Sequence, residues 1–174
     1  MSWEARLLDL FEDLEQQAEG AALAARDSEV AELARAEYSE VDLASRWHAS
    51  LGKQVELTGP GGLVVRGRLA RAGDGWCLVV ADAQEWLFAL THLLVVRGLS
   101  PQARPLALRP LTARLGLGSV LRELAEDQAE VTLVRPDGEL RRGRIGRVGR
   151  DFLELTSDGA LEVVPFSAVL AVRR

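Results

Sequence analysis

The feature that most restricts how this chain can fold is an internal repeat. Residues Lys53–Gly98 align without a gap on Ala129–Arg174, at an offset of 76. Shared positions include Val55 with Val131, Leu57 with Leu133, Pro60 with Pro136 and Gly62 with Gly138. They continue through Arg66-Gly67-Arg68 with Arg142-Gly143-Arg144, Arg71 with Arg147, Gly73 with Gly149, Asp82 with Asp158, and Val96-Arg97 with Val172-Arg173. Leu69 matches Ile145 and Trp76 matches Phe152 as apolar pairs. A repeat fixes domain organisation before any element is assigned, because each copy must be one structural unit.

Within each copy, short runs alternate apolar with polar residues and are punctuated by glycine, proline or aspartate, which reads as five short strands. In the second copy Val131 and Leu133 share one strand face, and Pro136-Asp137-Gly138 is a tight-turn sequence. A strand over Glu139 to Val148 follows, in which Gly143 predicts a bulge or a close backbone approach; Gly67 has that role in the first copy. The remaining strands are expected at Phe152 to Thr156, Leu161 to Pro165 and Val169 to Arg173, and in the first copy at Trp76 to Val80, Glu85 to Ala89 and Leu93 to Arg97. Pro165 suggests an edge or a strand end. Short helical segments, Val41 to Leu51 and Ser119 to Glu126, precede the two copies.

The first 40 residues differ in kind. Trp3, Leu7, Leu10, Phe11 and Leu14 recur at helical spacing among Glu4, Asp9, Glu12, Asp13 and Glu15, which describes an amphipathic acidic helix. A second helical stretch runs from about Ala21 to Tyr38, with a bend at Gly20. Residues 1–51 hold 4 Arg against 12 acids, and residues 52–174 hold 17 Lys and Arg against 14 acids, so the net charge of −5 divides into −8 and +3. Such asymmetry bears on partners rather than on fold. No apolar run approaches the roughly 20 residues that span a bilayer, and the acidic N-terminus is unlike a secretory signal, so a cytoplasmic protein is expected. One cysteine, Cys77, and two isolated histidines, His48 and His92, offer neither a disulfide framework nor a zinc set. No metal or cofactor is expected.

The order helix, five bent strands, apolar-x-apolar, Asp-Gly and Gly-x-apolar, with two spaced apolar residues in the last strand, resembles the Sm and Hfq-like superfamily of small barrels. In the second copy the matching residues are Val131, Leu133, Asp137-Gly138, Gly143-Arg144-Ile145, Val169 and Val172. The resemblance implies an α+β chain: acidic helices over residues 1–40, a five-stranded Sm-like β-barrel over 41–98, a proline- and arginine-containing linker over 99–118 and a second barrel over 119–174, each barrel preceded by a short helix. It also implies RNA as a partner, with two departures. Members that bind uridine-rich RNA carry Asp and Asn between strands two and three, where this chain has Gly73 with Cys77 and Gly149 with Leu153. They carry Arg-Gly before the last strand, where it has Ala89-Leu90 and Pro165-Phe166. The edge contacts that read unstacked bases are therefore missing from both copies.

Candidate surfaces follow from residue chemistry. Arg135, Arg141, Arg142, Arg144, Arg147 and Arg150 crowd the second copy, and guanidinium groups on one rim would bind nucleic-acid phosphates. The competing reading is a solvated surface balanced by Glu139, Asp151 and Glu154, since strand alternation divides the arginines between faces. Trp76, Phe152 and Phe166 fit either base stacking or core packing, with their repeat-matched positions favouring the core. Trp86, opposite Glu162 in the alignment, is expected either to face outward and, with Trp3, Leu7, Phe11 and Leu14, to contact a partner protein, or to be buried between barrel and arm, with the helices packing on the first barrel or on each other. No phosphate-binding glycine loop, nucleophile elbow or small-molecule site is evident, so the chain is not expected to be an enzyme. Two functions remain: an Sm-like adaptor that binds RNA through the second copy and the linker, or an interaction scaffold that joins a partner protein or a second copy of itself through the acidic helices and barrel edges.

Overall fold

The computed structural model describes residues 3–104 and 110–174, with the side chains of residues 4–15, 18, 111 and 112 left aside. The chain divides into two compact units, residues 1–41 and 42–174. The first unit contains α1, Trp3–Ser39, a single continuous helix. The bend expected at Gly20 is absent: one glycine costs a helix only about 1 kcal/mol, and no proline follows it before Ser39.

Among the described residues the second unit holds α2 (Leu43–Ala49), α3 (Leu117–Glu126) and ten strands: β1 (Gln54–Thr58), β2 (Val64–Gly73), β3 (Trp76–Ala81), β4 (Gln84–Ala89), β5 (Val95–Arg97), β6 (Glu130–Val134), β7 (Leu140–Val148), β8 (Phe152–Ser157), β9 (Ala160–Pro165) and β10 (Ala171–Arg173). Asp42 caps α2 by accepting a hydrogen bond from the Ser45 amide at 2.6 Å, which satisfies one of the amides a helix start leaves unpaired. Beyond β5, the chain is fastened to α2 by a small polar network. Arg46 Nε donates to the Ser100 carbonyl at 2.9 Å, and the Ser100 amide donates to Ser50 Oγ at 2.8 Å.

The strands form one antiparallel sheet in the order β5-β1-β2-β3-β4-β10-β6-β7-β8-β9. The expectation of two separate five-stranded barrels, each with a preceding helix, is therefore corrected: the sheet is single, ten-stranded and not closed. The physical reason lies at its middle. The outward hydrogen-bonding edge of β4, which closure of the first copy would turn back on its own half, is taken by β10, with Ala171 opposite Phe88, Val172 opposite Leu87 and Arg173 opposite Trp86.

Residues 76 apart take matching places on the two sides of this joint. Val55 pairs with Gly67 and Val131 with Gly143; Trp76 pairs with Ala89 and Phe152 with Pro165. Gly67 and Gly143 are glycines for a shared reason, since a Cβ there would lie 2.4 Å from the Val80 carbonyl oxygen and 2.3 Å from that of Thr156. Just beyond each of them the register with the next strand shifts, between Leu69 and Arg71 and between Ile145 and Val148. Such shifts bend a strand.

Two apolar cores result, and neither is built by one copy alone. Trp47, Leu57, Leu69, Val79 and Phe88 pack with Val134, Leu170 and Ala171 from the second copy. Leu121, Leu133, Ile145, Leu155 and Val172 pack with Trp76 and Leu87 from the first. Neighbouring residues of β4 and β10 thus serve opposite cores: Leu87 faces one and Phe88 the other, and Val172 and Ala171 divide likewise. Both strands are covered on both faces, the condition that calls for a continuous apolar run instead of strict alternation.

Candidate functional site

The six arginines of the second copy do not form one cationic surface. Arg135 pairs with Asp137 at 3.0 Å and with Glu139. Arg141 pairs with Glu139 at 2.6 Å and reaches Glu162 at 3.7 Å. Arg147 holds Glu154 through two hydrogen bonds of 2.9 Å, a bidentate pairing that raises the guanidinium pKa. Arg142, Arg144 and Arg150 are exposed and have no ion pair among the described residues. Alternation along β7 explains the division, because Arg142 and Arg144 point outward while the alternate residues Gly143 and Ile145 are buried. These two arginines border an open depression of about 500 Å³ whose other lining includes Thr156 and Ser157 but also Glu130 and Asp158.

The aromatic residues divide differently. Trp76 is buried in the second core, its indole N–H donating to the Leu115 carbonyl at 2.7 Å and its face covered by the Arg71 guanidinium at 5.5 Å. Phe152 and Phe166 are half-buried. Trp86, expected to face outward from its alignment with Glu162, is half-buried. It stacks on Phe88 with ring centres 5.9 Å apart, and the Arg173 guanidinium of β10 lies 5.3 Å over it. Its remaining surface lines an open depression with Val64, Arg66 and Gln84. Of the residues expected on the helical arm, Trp3 is exposed, whereas the side chains of Leu7, Phe11 and Leu14 lie outside the described residues, as do residues 105–109 of the linker.

The groups whose titration is displaced lie in ion pairs or in the core. Burial pushes the Cys77 thiol up, which keeps it protonated and unreactive. Hydrogen bonds from Arg66 and then Arg97 hold the Glu56 carboxyl below its ordinary range. Arg174 is raised by hydrogen bonds to Asp127 and Glu85. Among the described residues no group of three or more His, Cys, Asp and Glu side chains has the geometry of a metal site.

The least satisfied parts of the second unit are the two ends of the sheet. Among the described residues β5 pairs only with β1, and β9 only with β8. Leu94 and Val95 are exposed at one end, and Leu161 and Val163 at the other. Beside β9 lies a depression of about 340 Å³ lined by Leu133, Arg135, Val163, Val164, Pro165 and Ala168. These positions did not stand out in the sequence reading, although a signal exists. Leu93-Leu94-Val95-Val96 is an uninterrupted apolar run, the pattern of a strand covered on both faces, and Leu94 is identical to Leu170 at the repeat offset.

No protein-family model matches the chain, and no curated protein matches it. No helix among the described residues is long and apolar enough to cross a membrane.

Proposed function

We propose that this chain is a non-catalytic interaction scaffold that works through the two open edges of its sheet. The observation that carries the reading is the exposure of Leu94 and Val95 at one sheet end and of Leu161 and Val163 at the other, on strands whose outer backbone groups have no strand neighbour among the described residues. An edge of this kind presents main-chain donors and acceptors together with apolar side chains, the two elements of recognition by strand addition. A cytoplasmic setting belongs to the same reading, supported by a single buried thiol. The test is recovery of the native assembly before and after nuclease treatment, alongside a full-length Val163→Lys variant. Association that survives nuclease and is lost in the variant is expected. Association that ignores the variant would remove the edges from the function.

A second reading, an RNA-binding adaptor, is favoured by Arg142, Arg144 and Arg150. Of the six arginines singled out in the second copy, they are the ones without an acidic partner among the described residues, and two of them border the open depression on the outer face of β7. Three of the lining side chains there bear on phosphate binding in opposite senses, Thr156 as a donor and Glu130 and Asp158 as repelling charges, while the Ser157 hydroxyl donates to the Arg142 carbonyl at 2.8 Å. Binding to mixed-sequence RNA across a salt series tests it. The double variant Arg142→Ala, Arg144→Ala is expected to flatten the slope of log affinity against log salt by about 2. An unchanged slope, or no binding at low salt, removes RNA from the account.

A further inference from the structure

We propose that the depression between α2 and the β5 end of the sheet binds a short aliphatic carboxylate, a use of the chain beyond the scaffold reading and independent of it. Its volume is about 260 Å³, and its lining is apolar except for Arg46 and the indole N–H of Trp47. Leu90, Leu93, Val96 and Leu99 form its floor: each packs against the first core and is only partly covered. Leu43 and Leu94, which also line it, are 54% and 67% exposed. The surface a ligand would cover is thus continuous with the core and shaped by it.

The second copy fills the corresponding space with an aromatic ring. There Phe166, the repeat counterpart of Leu90, lies against α3, its ring 3.2 Å from where a Cβ on Gly118 would stand. In the first copy the counterpart positions carry the smaller Leu90 and, in place of the glycine, Asp42, so this close contact cannot form. The depression is what remains between helix and strand.

Two polar groups decide which class of apolar ligand fits. Trp47 is 1% exposed, and its indole N–H, a group that only donates, has no acceptor among the described residues. A buried donor without a partner carries a desolvation cost that an acceptor recovers, so the ligand brings an oxygen as well as a chain. Arg46 sets its charge. The guanidinium is fixed in place by its Nε, which donates to the Ser100 carbonyl at 2.9 Å, and among the described residues no acidic side chain lines the depression. A carboxylate suits both groups, since it accepts from an indole N–H and pairs with a guanidinium. An amine would meet like charge at Arg46, and a plain hydrocarbon would leave the indole N–H unpaired. The volume lies just below the roughly 300–1,000 Å³ of drug-sized ligand sites, which limits the chain to about eight carbons.

The indole N–H resonances of the full-length chain, followed during titration with octanoate, test the proposal. The Trp47 signal, identified by its loss in Trp47→Phe, is expected to move downfield and saturate, with a Kd of about a millimolar or below. The Trp76 signal, whose N–H already donates to the Leu115 carbonyl, is expected to stay in place. Butanoate, with fewer methylenes to bury, and octylamine, with the wrong charge, are each expected to bind at least about tenfold more weakly. Leu90→Phe puts the ring of the second copy into the space and is expected to weaken octanoate at least about tenfold in a chain that keeps its cooperative urea unfolding. Arg46→Gln is expected to erase the preference for octanoate over octanol. A Trp47 signal that shows no saturable movement at several millimolar octanoate, or that octylamine moves equally well, overturns the proposal. So does octanoate binding that is unchanged in a folded Leu90→Phe chain.

Discussion

Leu94 and Leu170 are the same residue at the same place in the two copies, yet one is largely uncovered and the other has no contact with water. The difference comes from what stands beside each strand. Leu170 precedes β10, an internal strand with β4 on one side and β6 on the other, while Leu94 precedes β5 at the end of the sheet. Sequence at these positions sets the capacity to be buried, and position in the sheet decides whether that capacity is used. The comparison is broken most directly by truncating both. Leu170→Ala is expected to cost about 3 kcal/mol, because it removes a filled seat between Gly59 and the first core, whereas Leu94→Ala is expected to stay within about 0.5 kcal/mol. Urea midpoints measured at the same low concentration, where mass action does not stabilise either chain, provide the check. Equal losses would mean that the two strands are equally covered in the isolated chain.

Trp86 and Glu162 extend the comparison to a pair whose chemistry has diverged. Trp86 gains its value from three neighbours at the joint: the first core it packs against, Phe88 beneath it and the Arg173 guanidinium above it. Glu162 occupies the matching position on an edge strand and, among the described residues, forms an ion pair only with Arg141, at 3.7 Å. Exchanging the residues sharpens what position contributes. Trp86→Glu keeps an opposite charge across from Arg173 but removes the packed aromatic surface, and an unfolding cost of about 2 kcal/mol is expected. Glu162→Trp meets no comparable neighbour within the chain and is expected to leave the urea midpoint nearly unchanged. A large stabilisation by Glu162→Trp in the dilute chain would reveal cover over β9 from within the molecule.

Much of the local structure is legible from residue order because it has local causes. Alternation marks Val131 and Leu133, turn chemistry marks Pro136-Asp137-Gly138, and Gly67 and Gly143 mark the places where a neighbouring carbonyl leaves no room for a Cβ. What joins those strands is not local. Whether β4 turns back on its own half or accepts β10 depends on hydrogen bonds between residues roughly 80 apart, and the outward N–H groups of Glu85 and Ala89 suit either partner. The arginines illustrate the same limit. Alternation along β7 anticipates that they divide between faces, but the capture of Arg135, Arg141 and Arg147 by Asp137, Glu139 and Glu154 depends on side-chain reach across turns and neighbouring strands. Trp86 is partly covered for a related reason: its alignment with a glutamate describes an edge strand, and its own strand is not at an edge.

Arg97 and Arg173 carry the comparison to its smallest expected effect. At the joint Arg173 lies over Trp86, while at the sheet end Arg97 is held with Arg66 by Glu56, whose counterpart in the second copy is Thr132. The hydrogen bonds from Arg66 and Arg97 lower the Glu56 pKa in the folded chain. A carboxyl whose folded pKa is depressed contributes stability at pH values above its unfolded pKa, and that contribution is lost as pH falls through the folded value. Glu56→Gln is therefore expected to lower the urea midpoint slightly near neutral pH, by less than either substitution at the joint, since the arginines are solvent-exposed and salt screens them. The gap between wild type and variant should close as acid protonates Glu56, below the ordinary carboxylate range, and should narrow with added salt at neutral pH. A gap that persists undiminished in acid would mean that Glu56 acts at the end of the sheet through packing and not through its charge.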